Sequence, residues 1–101
     1  MSDPPKALRH LLANTTRRAI LRVMLEDDAP PFTPSELSKL VGVDLPTVHY
    51  HVYVLEHDGA VQLDHIGEGK GSRQRFFVPG ALVQAHPEYV AAVLAQNDHP
   101  T

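Results

Sequence analysis

Cysteine is absent from the 101-residue chain, and its absence excludes disulfides, thiolate metal sites, iron–sulfur clusters and a cysteine nucleophile. No apolar run approaches the roughly 18 residues needed to cross a bilayer. The opening Met1-Ser2-Asp3-Pro4-Pro5 lacks the basic segment and apolar stretch of a signal peptide, so a cytoplasmic location and no membrane partner are expected. No nucleophile–base set, phosphate loop or pair of carboxylates stands at usable spacing. Gly67-Glu68-Gly69-Lys70-Gly71 falls in a predicted hairpin rather than at a helix N-terminus. An enzyme is not expected, nor is a cofactor.

What charge there is lies unevenly. Nine Lys and Arg stand against twelve Asp and Glu, a formal net charge of −3, which argues mildly against a polyanionic partner. Placement matters more than the total. Residues 4–25 hold Lys6, Arg9, Arg17, Arg18 and Arg22 and no carboxylate, a second basic group is Lys70, Arg73 and Arg75, and Glu26-Asp27-Asp28 is acidic. Hydrophobic residues at 43% and charged residues at 21% are ordinary for a globular domain, and the length suits one domain over 1–101 with a modest core.

Periodicity divides the chain into short elements. Residues 6–12, with Leu8, Leu11 and Leu12, read as a helix. Asn14 caps a second over about 15–26, whose stripe is Ile20, Val23 and Met24. Thr33-Pro34-Ser35-Glu36 puts a hydroxyl at the N-cap, proline at the first helical position and glutamate three residues after the cap, the pattern of a capping box. That third helix shows Leu37, Leu40 and Val41 on one face and stops near Gly42. Asp44 then caps a fourth, over 45–58, which Gly59 can end. Two short helices across a tight glycine-bearing turn, 34–58, make a helix-turn-helix pattern. Residues 61–66 alternate as a half-buried strand, 67–72 read as a flexible loop, and 73–78 resume strand character. A hairpin over 60–78 with a glycine-rich basic tip behind such a pair is a wing. His86-Pro87-Glu88 opens a last helix to about residue 96, with Tyr89, Val90, Val93 and Leu94 as its apolar side. The expected fold is α+β, mainly helical with a two-stranded wing and a C-terminal dimerisation helix.

From Leu8 to Val78 the chain resembles the arsenic-repressor-like (ArsR-like) winged helix-turn-helix regulators. The resemblance rests on LANTTRRAIL at 12–21, SELSKLVGV at 35–43, TVHYHVYVLEHDGAV at 47–61 and GSRQRFF at 71–77. It implies a homodimeric, double-stranded DNA-binding transcriptional regulator whose fourth helix is the recognition helix and whose terminal helices make the dimer. Repression by occluding polymerase is expected over activation, because no extra domain is visible.

On a helical wheel at ~100° per residue, Val48, His51, Val52 and Leu55 cluster toward the core, while Pro46, Tyr50, Tyr53 and His57 point away. The N-terminal part of such a helix enters the major groove, so Thr47, His49 and Tyr50 are the candidates for base edges and Tyr53 for the backbone. Residues 45–58 hold no Arg or Lys, unlike the helices they resemble. Arginine's bidentate contact to guanine is thereby missing, and Tyr and His hydrogen bonds or DNA shape must do more. Lys70, Arg73 and Arg75 are candidates for phosphate or minor-groove contact from the wing. Arg17 and Arg18 either contact phosphates or are solvated and paired locally, and Lys39 is a further backbone candidate. Leu8, Leu11, Tyr89, Val90, Val93 and Leu94 are expected at the dimer interface.

Seven histidines raise metal binding, but His49 and His51 diverge by ~200° on a helix and cannot share an ion, and no metal site is expected. His51, on the core side, reads as a buried hydrogen-bonding residue. The rival function is a winged-helix protein-interaction module with little DNA affinity, which the net charge and the Tyr/His-rich helix support.

Overall fold

The computed structural model describes residues 3–69 and 72–96. Its helices are α1 (Lys6–Leu11), α2 (Thr15–Met24), α3 (Pro34–Val41), α4 (Leu45–His57), α5 (Ala81–Gln84) and α6 (Pro87–Leu94), and between α4 and α5 run strands β1 (Val61–Gly69) and β2 (Ser72–Pro79).

Local chemistry sets most of the boundaries. The Asn14 side chain accepts from the backbone N–H of Arg17 at 3.0 Å and caps α2. At α3 the capping box closes both ways: Thr33 Oγ1 accepts from the Glu36 N–H at 3.1 Å, and Glu36 Oε1 accepts from the Thr33 N–H at 2.9 Å. Gly42 ends α3 at φ 73°, a left-handed conformation in which a Cβ would be strained. Its loop is tied by Ser38 Oγ, which donates to the Val43 carbonyl at 2.5 Å. Only Asp44 then separates this turn from α4, and so α3 and α4 are held as a compact pair.

α2, α3 and α4 pack on one another around Ile20, Leu21, Leu37, Val48 and Leu55, all fully buried. Burying aliphatic side chains of this size stabilises a domain by roughly 1.5–3 kcal/mol each. α1 closes one side through Leu8 and Leu11, and α5 and α6 close another through Val83 and Val90. Leu40, expected on the packed face of α3, is instead 58% exposed. Of the two leucines of α3, only Leu37 is buried.

The hairpin is antiparallel, with Val61 opposite Pro79 and Gly69 opposite Ser72. Between Leu63 and His65 the register shifts by one residue on β1. This bulge lets Leu63 and Ile66 share the face of Phe77, Arg75 and Arg73. Of the flexible loop expected at 67–72, residues 67–69 and 72 are strand: Gly67 pairs with Gln74 and Glu68 with Arg73. A Cβ on Gly67 would meet the Phe76 ring at 2.8 Å, so that glycine makes room for an aromatic ring lying across the ladder. Phe76 also stacks on His65, ring centroids 4.5 Å apart. One bridge escaped sequence analysis. Phe32 exchanges backbone hydrogen bonds with Phe77 at 3.0 and 2.8 Å, pinning the start of α3 to the base of the wing.

The last helix expected over 86–96 is α6, Pro87–Leu94; the short α5, two residues before it, was not expected. No helix among the described residues is long and apolar enough to cross a membrane.

Candidate nucleic-acid interface

α4 divides as its wheel requires. Val48, His51, Val52 and Leu55 are buried, while Tyr50 and Tyr53 are 60% and 65% exposed. His49 and His57 are exposed with them, and the Tyr53 and His57 rings stack at 6.3 Å. The outer face of the helix is therefore aromatic and polar, with no fixed positive charge.

Thr47 sits in the first turn. Its hydroxyl donates to the Asp44 carboxylate, with oxygen separations of 2.9 and 2.8 Å, and its N–H donates to Asp44 Oδ2 at 3.1 Å. The hydroxyl first, then the N–H, hold the Asp44 carboxyl below its ordinary pKa. Asp44 is thus more than a helix cap, and the three-residue spacing from Asp44 to Thr47 is the sequence signal for the added hydroxyl bond.

Beside α4 the wing closes a groove of about 380 Å³. Leu45, His49 and Tyr53 line it from α4, Pro34 and Ser35 from the start of α3, and Arg73 and Arg75 from β2. Both arginines are exposed, and both share the face of the buried Phe77. Glu68 stands directly across the ladder from Arg73. The fold thus brings His49 and Tyr53 of α4 and the two wing arginines to one concavity, and leaves Thr47 out of it. Tyr50 lies outside it, farther round the helix. Lys70 lies outside the described residues. Lys39 is exposed on α3.

The α2 arginines do something else. Arg17 is 8% exposed. Its Nε donates to the Leu11 carbonyl at 2.8 Å, Nη2 to the His10 carbonyl at 3.4 Å, and Nη1 to His51 Nδ1 at 3.3 Å. This corrects the expectation of a surface cation: the guanidinium caps the end of α1 and spans to α4. With Nδ1 accepting, the His51 proton sits on Nε2. Burial, and after it the Arg17 charge, lower the His51 pKa from its ordinary value. His51 is the buried hydrogen-bonding residue that its place on the wheel predicts. Arg18 turns inward as well, donating to the Leu12 carbonyl at 2.6 Å and to Thr15 Oγ1 at 3.2 Å.

The expected dimer residues also need correction. Leu8 and Leu11 are completely buried inside this chain, and Val90 is 2% exposed. Tyr89, Val93 and Leu94 are half-buried against the same core. The apolar side of the last helix is largely covered within one chain because α5 turns it back onto α2. Arg22 anchors it there, its Nε donating to the Leu94 carbonyl at 2.8 Å. Among the described residues no group of three or more His, Asp or Glu stands where it could hold a metal ion.

A helix pair joined by a tight turn, followed by a hairpin whose arginines flank the second helix, defines a winged helix-turn-helix. Residues 12–63 match the helix-turn-helix domain family. The chain belongs to that family. Two solved structures share the fold. One is the M. tuberculosis transcriptional regulator MosR, 22% identical with a TM-score of 0.60, over 88% of this chain and 61% of that one. The other is the transcriptional regulator PA3341, 25% identical with a TM-score of 0.61, over 87% and 62% respectively. The chain thus spans about three fifths of the length of each. No curated protein matches it.

Proposed function

We propose that this chain is a sequence-specific, double-stranded DNA-binding transcriptional regulator of the cytoplasm. The observation that carries the reading is the shared groove: Leu45, His49 and Tyr53 of α4 and the wing residues Arg73 and Arg75 line one concavity, with Thr47 and Tyr50 on the adjoining surface of the helix. α4 enters the major groove, led by its N-terminal turns. The arginines contact phosphates or the adjacent minor groove, and Lys39 and Lys70 add backbone contacts. Phosphate contacts position the protein, while α4 and DNA shape select the site. Family membership and the names of both structural neighbours support this reading, and the arsenic-repressor-like subfamily is its finer form.

The regulator acts as a homodimeric repressor that occludes polymerase at a partly palindromic operator, with half-sites about 34–36 Å apart. Because Leu8, Leu11 and Val90 are spent on the chain's own core, the dimer contact falls to the half-buried Tyr89, Val93 and Leu94. An apolar groove between the end of α2 and α6, lined by Leu25, Ala91, Leu94 and Ala95, supports that placement.

A titration of random duplex binding against salt tests the DNA reading. A binder loses affinity steeply as salt rises, in proportion to the phosphates it neutralises. Absence of binding at low salt removes the reading. It favours instead a protein-interaction module, which the exposed Leu40, Tyr50 and Tyr53 support. Sedimentation of the free chain tests the dimer: a monomer at micromolar concentration refutes it.

A further inference from the structure

The bases of the preferred site follow from what α4 lacks and from what its one small hydroxyl is already doing. The helix reads LPTVHYHVYVLEH and contains no Arg, Lys, Asn or Gln. Bidentate recognition of guanine needs Arg or Lys, and that of adenine needs Asn or Gln; α4 has neither. Glu56, which could accept from cytosine, is half-buried and lines the wing groove near the C-terminal end of the helix, beyond the N-terminal turns that lead into the major groove.

Thr47 is no substitute donor. Its single hydroxyl proton is committed to the Asp44 carboxylate, which leaves an acceptor oxygen and a methyl group. Around that first turn the exposed surface is Leu45, 37% exposed, and Pro46, beside the Asp44 carboxylate that the Thr47 hydroxyl occupies, with Tyr50 and Tyr53 beyond. These side chains offer methyl groups and ring faces, with single-point hydrogen bonds only from His49 and the tyrosine hydroxyls. In the major groove one natural base edge carries an apolar group that matches them, the thymine C5-methyl. The arginine-lined wing provides charge complementarity to a phosphate backbone on the same side of the molecule, which favours DNA over an apolar protein as the occupant of this surface.

We infer that α4 selects its site by burying thymine C5-methyl groups against Leu45, the Thr47 methyl and the tyrosine rings, so that the chain reads methyls in the major groove rather than guanine edges. The inference rests on the DNA-binding reading above and adds the chemical class of its target. A 5-methylcytosine presents the same methyl at the same place, and so it substitutes for thymine in part.

The test begins with selection of bound duplexes from a random pool. The recovered duplex is then rebuilt in three forms and titrated at fixed salt. Replacing contacted thymines with deoxyuridine removes only the methyl, and affinity should fall about fourfold for each methyl that the protein buries. Replacing one such T·A pair with C·G should weaken binding, and replacing it with 5-methylcytosine·G should recover part of the loss. Thr47→Ser keeps the hydroxyl and its bond to Asp44 while removing one reading methyl, and it should shrink the thymine-to-uracil ratio. Equal affinity for thymine and uracil duplexes, or enrichment of a site read through guanines, overturns the inference and leaves DNA binding standing. Failure to enrich any duplex overturns both.

Discussion

Replacing Arg73 and Arg75 together with alanine measures what the wing contributes. The two side chains project from the same face of β2, two residues and therefore about 6.7 Å apart along the strand. Two nucleotides of one DNA strand rise about 6.8 Å along the duplex axis, so the two guanidiniums can engage separate phosphates. Each phosphate neutralised contributes about 0.9 to the slope of log affinity against log salt, and losing two flattens that slope by about 1.8 per bound protomer. Between 50 and 200 mM salt the wild-type chain should then lose roughly twelvefold more affinity than the double variant. Fluorescence anisotropy with a labelled random duplex reads both slopes directly. Affinity should fall for all sequences alike, since phosphates carry no base information. Neither side chain contributes to the buried core, so thermal stability should stay within about 0.5 kcal/mol of wild type. An unchanged slope in a folded double variant would refute the placement of the wing on DNA.

Tyr50→Ala should erase discrimination between a selected site and random duplex without unfolding the chain, because the ring is 60% exposed; competition binding and circular dichroism check the two halves. His51 makes a pH prediction. Its folded-state pKa lies below the ordinary value, so in mild acid the unfolded chain binds the extra proton. The stability this provides is present above a pH of about 6.5 and is lost as pH falls through the folded pKa. Urea denaturation at pH 7 and pH 5 should show a drop that His51→Gln reduces, and parallel drops in both proteins would disprove the assignment. Gly80→Ala should destabilise the fold by roughly 1–3 kcal/mol, because the added Cβ would collide with the Gly59 carbonyl oxygen. A melting temperature equal to wild type would show that this turn can relax.

Elements whose signals are local were legible in the chain itself. The capping box at Thr33, the Asp44 cap and the glycine stop at Gly42 each act within a few residues, and α3 and α4 begin and end where these signals put them. Partners distant in sequence were not legible. Arg17 sits beside Arg18 in a basic stretch and reads as a phosphate contact or a solvated cation, yet it lies three, four and seven residues before Ile20, Leu21 and Met24. That is the spacing of the buried stripe of α2, and it was the clue to its burial. Leu8 and Leu11 have the look of an unpaired apolar face until α1 is seen packed into the core, and Val90 until α6 is seen to bury it there. Gly67 suggested a loop because a glycine's tolerance of a loop is local, whereas the Phe76 ring that occupies its missing Cβ comes from the opposite strand. On the interface, the α4 residues followed from the wheel, but their meeting with β2 is a contact between segments distant in sequence, as is the Phe32–Phe77 bridge, and no periodicity announces either.

The guanidinium of Arg17 has a mechanical consequence. Three of its nitrogens grip the end of α1 and the inner side of α4 at once. A displacement of α1, whatever produces it, must either break those bonds or carry α4 along. The exposed tyrosines of α4 are thus yoked through the Arg17 side chain to the far side of the domain.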